Sequence, residues 1–334
     1  MRVLVTGGAG FIGSAFVRQL VRGAYPGLSA SRVTVLDLLT YAGNLANLAE
    51  VAHHPRLRFV RGDICDVDLA AALARDADLV VHFAAESHVD RSIADSRDFV
   101  RTNVQGTQVL LDAALAAGTR RFVHVSTDEV YGSIERGSWA EDQPLAPNSP
   151  YAAAKAASDL LALAHHRTHG LDVRITRCSN NYGPYQHPEK VLPLFVSNLL
   201  DGLPVPLYGD GGNVREWLHV DDHCRAIALV ATSGRPGRVY HVGGGAELSN
   251  RRLTERLLDL CGADASAVRR VADRKGHDRR YSLDSSRITR ELGFVPRVPF
   301  ERGLAETVAW YRENRAWWEP LKPGGRARAL ATGR

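Results

Sequence analysis

Tyr151 and Lys155 stand four residues apart in Ser149-Pro150-Tyr151-Ala152-Ala153-Ala154-Lys155. Ser149 suits a helix N-cap and Pro150 the first helical position, so both side chains are expected on one helical face. A cation beside a phenol lowers it from its ordinary value of about 10, and the positive charge of an oxidised hydride-accepting cofactor would help. The phenolate can then take a hydroxyl proton while hydride leaves the same carbon. Of 42 basic residues only four are lysine, at 155, 190, 275 and 322. Arginine would be the usual filler here, so lysine at 155 points to a need for a compact ammonium. A second pair, Asp128 and Glu129, follows Thr127 within Ser126–Gly132. Like charges side by side drive one carboxyl upward, leaving a protonated acid next to an ionised base. Loss of water across neighbouring carbons needs such a pair. Glu129 would remove a proton, Asp128 would protonate the departing hydroxyl, and Thr127 would hydrogen-bond the reacting hydroxyl beside Tyr151. Either pair alone is common, one as a surface helix pair and the other as solvated loop acids. Their context decides.

That context is a run of short apolar strands alternating with helices. Strands are expected at Arg2–Thr6, Val33–Asp37, Leu57–Val60, Leu79–His82, Phe122–Ser126 and Leu171–Thr176, with helices near 12–22, 66–75 and 96–117. This pattern implies βαβ units and a parallel, doubly wound α/β sheet of Rossmann-like type. Ligands bind off the carboxyl ends of such strands, where Thr127 to Glu129 fall. After the first strand comes Thr6-Gly7-Gly8-Ala9-Gly10-Phe11-Ile12-Gly13, which opens a helix. Glycines there allow a tight turn, close approach to a pyrophosphate and close helix–strand packing, and the helix amides hold the phosphates. Asp37 ends the second strand, near the expected place for a carboxylate on the adenosine ribose. It would repel a 2′-phosphate, which favours NAD over NADP.

Beyond about residue 177 prolines and glycines break the rhythm. We expect an NAD-binding domain over 1–176 that carries the catalytic residues. A smaller, mixed α/β substrate-facing lobe, interleaved with the first, is expected over 177–320, and a flexible basic tail over 321–334. The net charge is +5, and the last thirteen residues carry Lys322, Arg326, Arg328 and Arg334 with no acid. The rest is nearly balanced, which argues against nucleic-acid binding. No apolar run reaches membrane-spanning length, and Met1-Arg2 leads straight into a strand without a signal-peptide pattern, so a cytoplasmic protein is expected. The four cysteines, at 65, 178, 224 and 261, lack metal spacing and read as free thiols, with no metal site.

Gly7, Gly10 and Gly13 resemble the extended short-chain dehydrogenase/reductase superfamily. Longer segments resemble the dTDP-glucose 4,6-dehydratases up to about residue 320. They are Thr40–Asn44, Ala84–Ser92, Ser126–Gly132, Asn180–Gln186, Gly209–Gly211, Asn213–Trp217 and Asp273–Asp278. The resemblance implies internal redox with tightly bound NAD. Tyr151 takes the C4 hydroxyl proton as NAD takes the C4 hydride. Glu129 and Asp128 then eliminate water across C5 and C6, and the hydride returns to C6. It also implies cofactor contacts from Gly7, Gly10, Phe11, Ile12, Gly13, Asp37, Leu38, Thr40, Asp63, Ile64, Ala84, Ala85, Ser87, Thr102, Tyr151, Lys155 and Asn181. Ser87, Thr127 and Asn180 would touch the sugar, and Lys190 and Arg215 the phosphates. Val191, Pro206, Tyr208, Asn250, Arg274 and His277 would complete the substrate site. A homodimer through the helices near 96–117 and 151–169 is implied in the same way. Leu38 departs from the Lys or Ser usual after the ribose aspartate.

Three rivals share part of this pattern. A nucleotide-sugar 4-epimerase needs the glycine turn, Tyr151 and Lys155 but has no use for acids at 128 and 129. A dehydratase of GDP-mannose or CDP-glucose would keep Glu129 and usually lack Asp128. A non-catalytic dinucleotide sensor would lack one of the two pairs.

Overall fold

The computed structural model describes residues 1–29 and 31–322. Six strands match the expected positions within two residues at each end: β1 Arg2–Thr6, β2 Arg32–Asp37, β3 Leu57–Arg61, β4 Leu79–His82, β5 Arg121–Thr127 and β6 Val173–Cys178. Six more follow: β7 Asn180–Tyr182, β8 Val205–Tyr208, β9 Val214–His219, β10 Val239–Val242, β11 Ala246–Ser249 and β12 Val268–Val271. The large sheet runs β10-β6-β5-β4-β1-β2-β3, parallel throughout. Strands β4 and β6 are buried at every residue, as a sheet covered on both faces requires.

Two apolar cores cover those faces. On one, Phe16, Leu20 and Val21 of the Phe11–Val21 helix pack with Ile227 and Val230 of the Val220–Ser233 helix. On the other, Leu73, Leu110, Leu111 and Ala162 fill the space beneath their helices. Each such leucine or phenylalanine contributes about 1.5–3 kcal/mol on burial, so the sheet is a stiff platform. The chain runs from β1 outward to β3, then crosses back to β4 beside β1. This reversal opens a crevice at the carboxyl ends of β1 and β4.

A third core, with Trp217, Leu253, Leu257, Leu304, Tyr311 and Trp318, belongs to the C-terminal lobe. Its strands form the sheet β11-β9-β7 and the pair β12-β8. The boundary expected at 176/177 cuts through β6, and β10 returns to the large sheet, so the lobe is threaded through the first body. Of the expected tail, 323–334 lie outside the described residues, while Lys322 pairs with Asp201 at 2.7 Å.

The helix expected over 96–117 requires correction. It comprises a turn at Arg97–Phe99, a π-helical stretch Val100–Gly106 and an α-helix Thr107–Ala116. Within the wider turns the Asn103 amide clamps Glu86, accepting from its N–H at 2.9 Å and donating to its carbonyl at 3.0 Å. That clamp holds the loop after β4, and π-helical turns recur at functional sites for such reasons.

Candidate active site

At the crevice the backbone runs so close to itself that only glycine fits. Gly7 has φ +69°, and a Cβ there would lie 2.5 Å from Ala84 N; one on Gly13 would lie 2.3 Å from Gly7 O. Gly10 caps the Phe11–Val21 helix without any side-chain bond, which leaves the first-turn amides free for phosphate oxygens. Asp37 accepts from Ala9 N at 2.9 Å and Leu39 N at 2.8 Å. Burial pushes its carboxyl up, and those two donors pull it back. Asp63 is held below the usual carboxylate range despite its burial, by Cys65 N–H and by Arg101 at 2.7 Å.

The helix carrying Tyr151 and Lys155 spans Pro150–His169. Its start is as expected, with Ser149 Oγ accepting from Ala152 N at 3.2 Å and Pro150 in first position. Tyr151 is 9% and Lys155 5% exposed. Lys155 Nζ donates to Val125 O at 2.7 Å, and burial lowers the amine to about 8. The expected lowering of the phenol is not found in the protein alone. Burial, with the charges of Glu129, Cys178 and Asp128, pushes Tyr151 well above 10, and the Thr127 hydroxyl opposes this only in part. The Lys155 ammonium is engaged by the Val125 carbonyl, and a positive charge brought into the crevice by a ligand would pull the phenol back down.

Asp128 and Glu129 open a 3₁₀ turn, Asp128–Tyr131, at the end of β5. Thr127 caps it, accepting from Glu129 N at 3.2 Å and donating to Asp128 Oδ1 at 3.2 Å. Asp128 is 2% exposed. Burial, Glu129 and Glu216 all push it well upward, which favours its neutral, proton-carrying form. Burial also raises Glu129, but Lys190, Arg215 and Arg274 pull it back. Both carboxyls are raised, Asp128 the more strongly, so Asp128 is the more readily protonated of the two.

One cavity of about 300 Å³ joins both ends. Its wall includes every residue expected to contact the cofactor, together with Thr127, Asp128, Glu129, Asn180 and Lys190. Val191, Pro206, Tyr208, Arg215, Asn250, Arg274 and His277 are not in that wall; they belong to the C-terminal lobe beyond it. There Arg215 donates to the carbonyls of Val214 (2.8 Å) and Asp278 (2.9 Å), and among the described residues no carboxylate pairs with it. Arg274 reaches Asp90 at 3.5 Å, and His277 meets the Tyr208 ring edge-on at 6.1 Å.

Sequence reasoning missed several groups. The hydroxyls of Ser126 and Ser179 line the cavity and, like Asp128 Oδ2 and Asn180 Oδ1, are buried without a protein partner. Unpaired buried polar atoms facing one cavity fit a polar ligand such as a dinucleotide or sugar. Ser126 lies in β5 and Ser179 just past β6, so their position at strand ends could have marked them. Asn103 carried no such signal, because its partner Glu86 is seventeen residues away.

A parallel, doubly wound sheet with a glycine turn at its crossover and a Tyr–Lys helix beside it defines a dinucleotide-binding enzyme of the extended short-chain dehydrogenase/reductase type. The chain belongs to the GDP-mannose 4,6-dehydratase family, whose model matches residues 4–307. A dTDP-glucose 4,6-dehydratase of Streptomyces niveus is 65% identical over 322 residues, covering 96% of each chain. The crystal structure of a dTDP-glucose 4,6-dehydratase from Streptomyces venezuelae, with NAD and dTDP bound, is 70% identical. It superposes with a TM-score of 0.96, over 96% of this chain and all of that one. A UDP-glucose 4-epimerase from Thermotoga maritima, solved with UDP-glucose, shares the fold at TM-score 0.87 and 31% identity, over 94% of this chain and all of that one.

Proposed function

We propose that the chain converts dTDP-glucose to dTDP-4-keto-6-deoxyglucose by internal redox with NAD. The observation that carries this reading is the Asp128–Glu129 pair, Asp128 buried and Glu129 partly buried, with carboxyls raised to different extents, in the same cavity as Tyr151 and Lys155. An epimerase needs only Tyr151 and Lys155.

The Gly7–Gly13 turn, Asp37, Asp63, Ile64, Ala84, Ala85 and Thr102 would hold the cofactor, with Lys155 and Tyr151 at its reactive end. When bound, NAD supplies the hydride acceptor for C4, returns that hydride to C6, and brings the positive charge that Tyr151 lacks. Tyr151 removes the C4 hydroxyl proton, and the resulting ketone acidifies C5–H. Glu129 takes the C5 proton, while Asp128 protonates the C6 hydroxyl, which leaves as water. Hydride then adds at C6 and a proton at C5. Each turnover leaves Tyr151 with one proton more and Asp128 with one fewer. Thr127, bonded to Asp128, would pass that proton back. Lys190 and Arg215 would offer cations for the diphosphate, and Arg274 and His277, beside Asp90 and Tyr208, would face the nucleotide.

Proton NMR of the protein with dTDP-glucose in deuterated water tests the reading. A new C6 methyl signal with deuterium at C5 is expected. Formation of dTDP-galactose, or turnover of another nucleotide sugar only, would overturn it.

Two coarser expectations have their own supports. Val100 and Leu160 are exposed apolar residues on the segments assigned to a homodimer, which light scattering of the purified protein would test. All four cysteines are free, and no described helix is long and apolar enough to cross a membrane, in keeping with work in the cytoplasm; fractionation of cells is the check.

A further inference from the structure

Behind the cavity wall lies a chain of buried polar groups that no step above uses. Arg177 of β6 is 3% exposed. Its Nε donates to Asp159 Oδ2 at 2.8 Å, and its guanidinium donates to the Tyr131 hydroxyl while standing 4.9 Å from the Tyr131 ring centre. With its oxygen occupied by that donor, Tyr131 passes its own proton to His241 Nε2 at 2.7 Å, and His241 Nδ1–H reaches Asp284 O at 3.1 Å. Every donor along this path has one acceptor, so the arrangement is directional and self-consistent. Burial and the nearby guanidinium hold His241 neutral, at about 3, which the path requires. Burial opposes ionisation of Asp159, yet Arg177 keeps its carboxyl at about 2, so the ion pair is intact at neutral pH.

The positions that Arg177 joins matter. Asp159 is one helical turn beyond Lys155 on the Tyr151 helix, and Ser158 beside it donates to Lys155 O at 2.7 Å. Tyr131 closes the turn that begins with Asp128 and Glu129, and Trp139 stacks on its ring at 5.5 Å. Arg177 also lies three residues before Asn180, whose side chain lines the cavity. None of Arg177, Asp159, Tyr131 and His241 lines it. One side chain is therefore bonded both to the element that oxidises C4 and to the element that removes water across C5 and C6.

We propose that Arg177 and Tyr131 are positioning residues that fix the Tyr151–Lys155 helix against the Asp128–Glu129 turn, so that a sugar oxidised at C4 meets the elimination pair before it can leave. This deepens the reading given under Proposed function and rests on it. Oxidation alone needs the helix placed against the cofactor. Only the passage from oxidation to elimination needs the helix and the turn in register.

Tyr131→Phe is the informative variant, since it keeps the stacked ring and removes only the hydroxyl junction. Arg177→Lys is the second, because an ammonium can serve Asp159 but cannot span to Tyr131 as well. In single-turnover experiments with dTDP-glucose, oxidation is followed by reduced-nicotinamide absorbance, and elimination by C5 deuteration and methyl formation. We expect Tyr131→Phe to oxidise at close to the parent rate and eliminate at least about tenfold more slowly, since small misplacements cost up to about a hundredfold. Reduced cofactor would then accumulate transiently, and the 4-keto hexose would escape into solution. Arg177→Lys should show the same split. Equal slowing of both stages, or no change in either, would overturn the proposal, and Tyr131→Phe decides alone if the arginine variant does not fold. A parent protein that forms no methyl product would instead overturn the reading of function itself.

Discussion

Tyr151 and Lys155 ride on a twenty-residue helix with a side-chain cap, a proline in its first turn and a left-handed glycine at its end, whereas Asp128 and Glu129 occupy a four-residue 3₁₀ turn. The first pair is spaced by helical geometry itself. The second has no such frame, and its chemistry is set by groups from elsewhere. Glu216 bears on Asp128, while Lys190, Arg215 and Arg274 bear on Glu129. A redox pair can thus be carried between enzymes as a local motif, but a dehydration pair depends on the C-terminal lobe.

The contrast can be broken most severely at Tyr151. Tyr151→Phe should lower turnover by about 10²–10⁴-fold through loss of the C4 proton acceptor, with both oxidation and methyl formation falling together. Retention of oxidation in that variant would remove Tyr151 from its role. Glu129→Gln should cost a similar factor in product formation but leave C4 oxidation, so that reduced cofactor builds up and C5 takes no deuterium. Deuteration of C5 at the parent rate would contradict this.

Lys190→Met sharpens the comparison from the tertiary side. Glu129 must be ionised to act, so activity is present above its pKa and lost as pH falls through it. Removing a cation that pulls this carboxyl down raises it further, and the acid limb of the kcat profile should move to higher pH. An unmoved acid limb, or one moved to lower pH, would contradict the assignment of Glu129 as base. Oxidation at C4 should respond less. The smallest effect belongs to the helix cap. Ser149→Ala should cost about 1 kcal/mol of stability in denaturant titration, with little change in the ratio of oxidation to elimination. A large change in that ratio would mean that the helix is less independent than its capping suggests.

The same contrast explains what could be read from sequence. Strand and helix periodicity, the glycine turn and the Ser149–Pro150 start are local signals, and they located the large sheet, the cofactor crevice and the Tyr151 helix. The Asp128–Glu129 pair was visible as a pair, but the difference between its members depends on cations up to 145 residues beyond Glu129 in the chain. The π-helical stretch at Val100–Gly106 was missed because its hydrophobic pattern is that of an ordinary helix. The fate of the Lys155 ammonium was missed too, since no side-chain pattern announces a bond to the Val125 carbonyl. Arg177 read as one arginine among many, and its partners at 131 and 159 meet only across the fold.

The most direct test of internal redox uses dTDP-glucose carrying deuterium at C4, mixed with unlabelled substrate, and follows the label by NMR and mass spectrometry. The account predicts that the deuterium arrives in the C6 methyl group of the same sugar molecule, with no label in unlabelled partners. Label retained at C4 of an epimer, or scrambled between molecules through free cofactor, would contradict it.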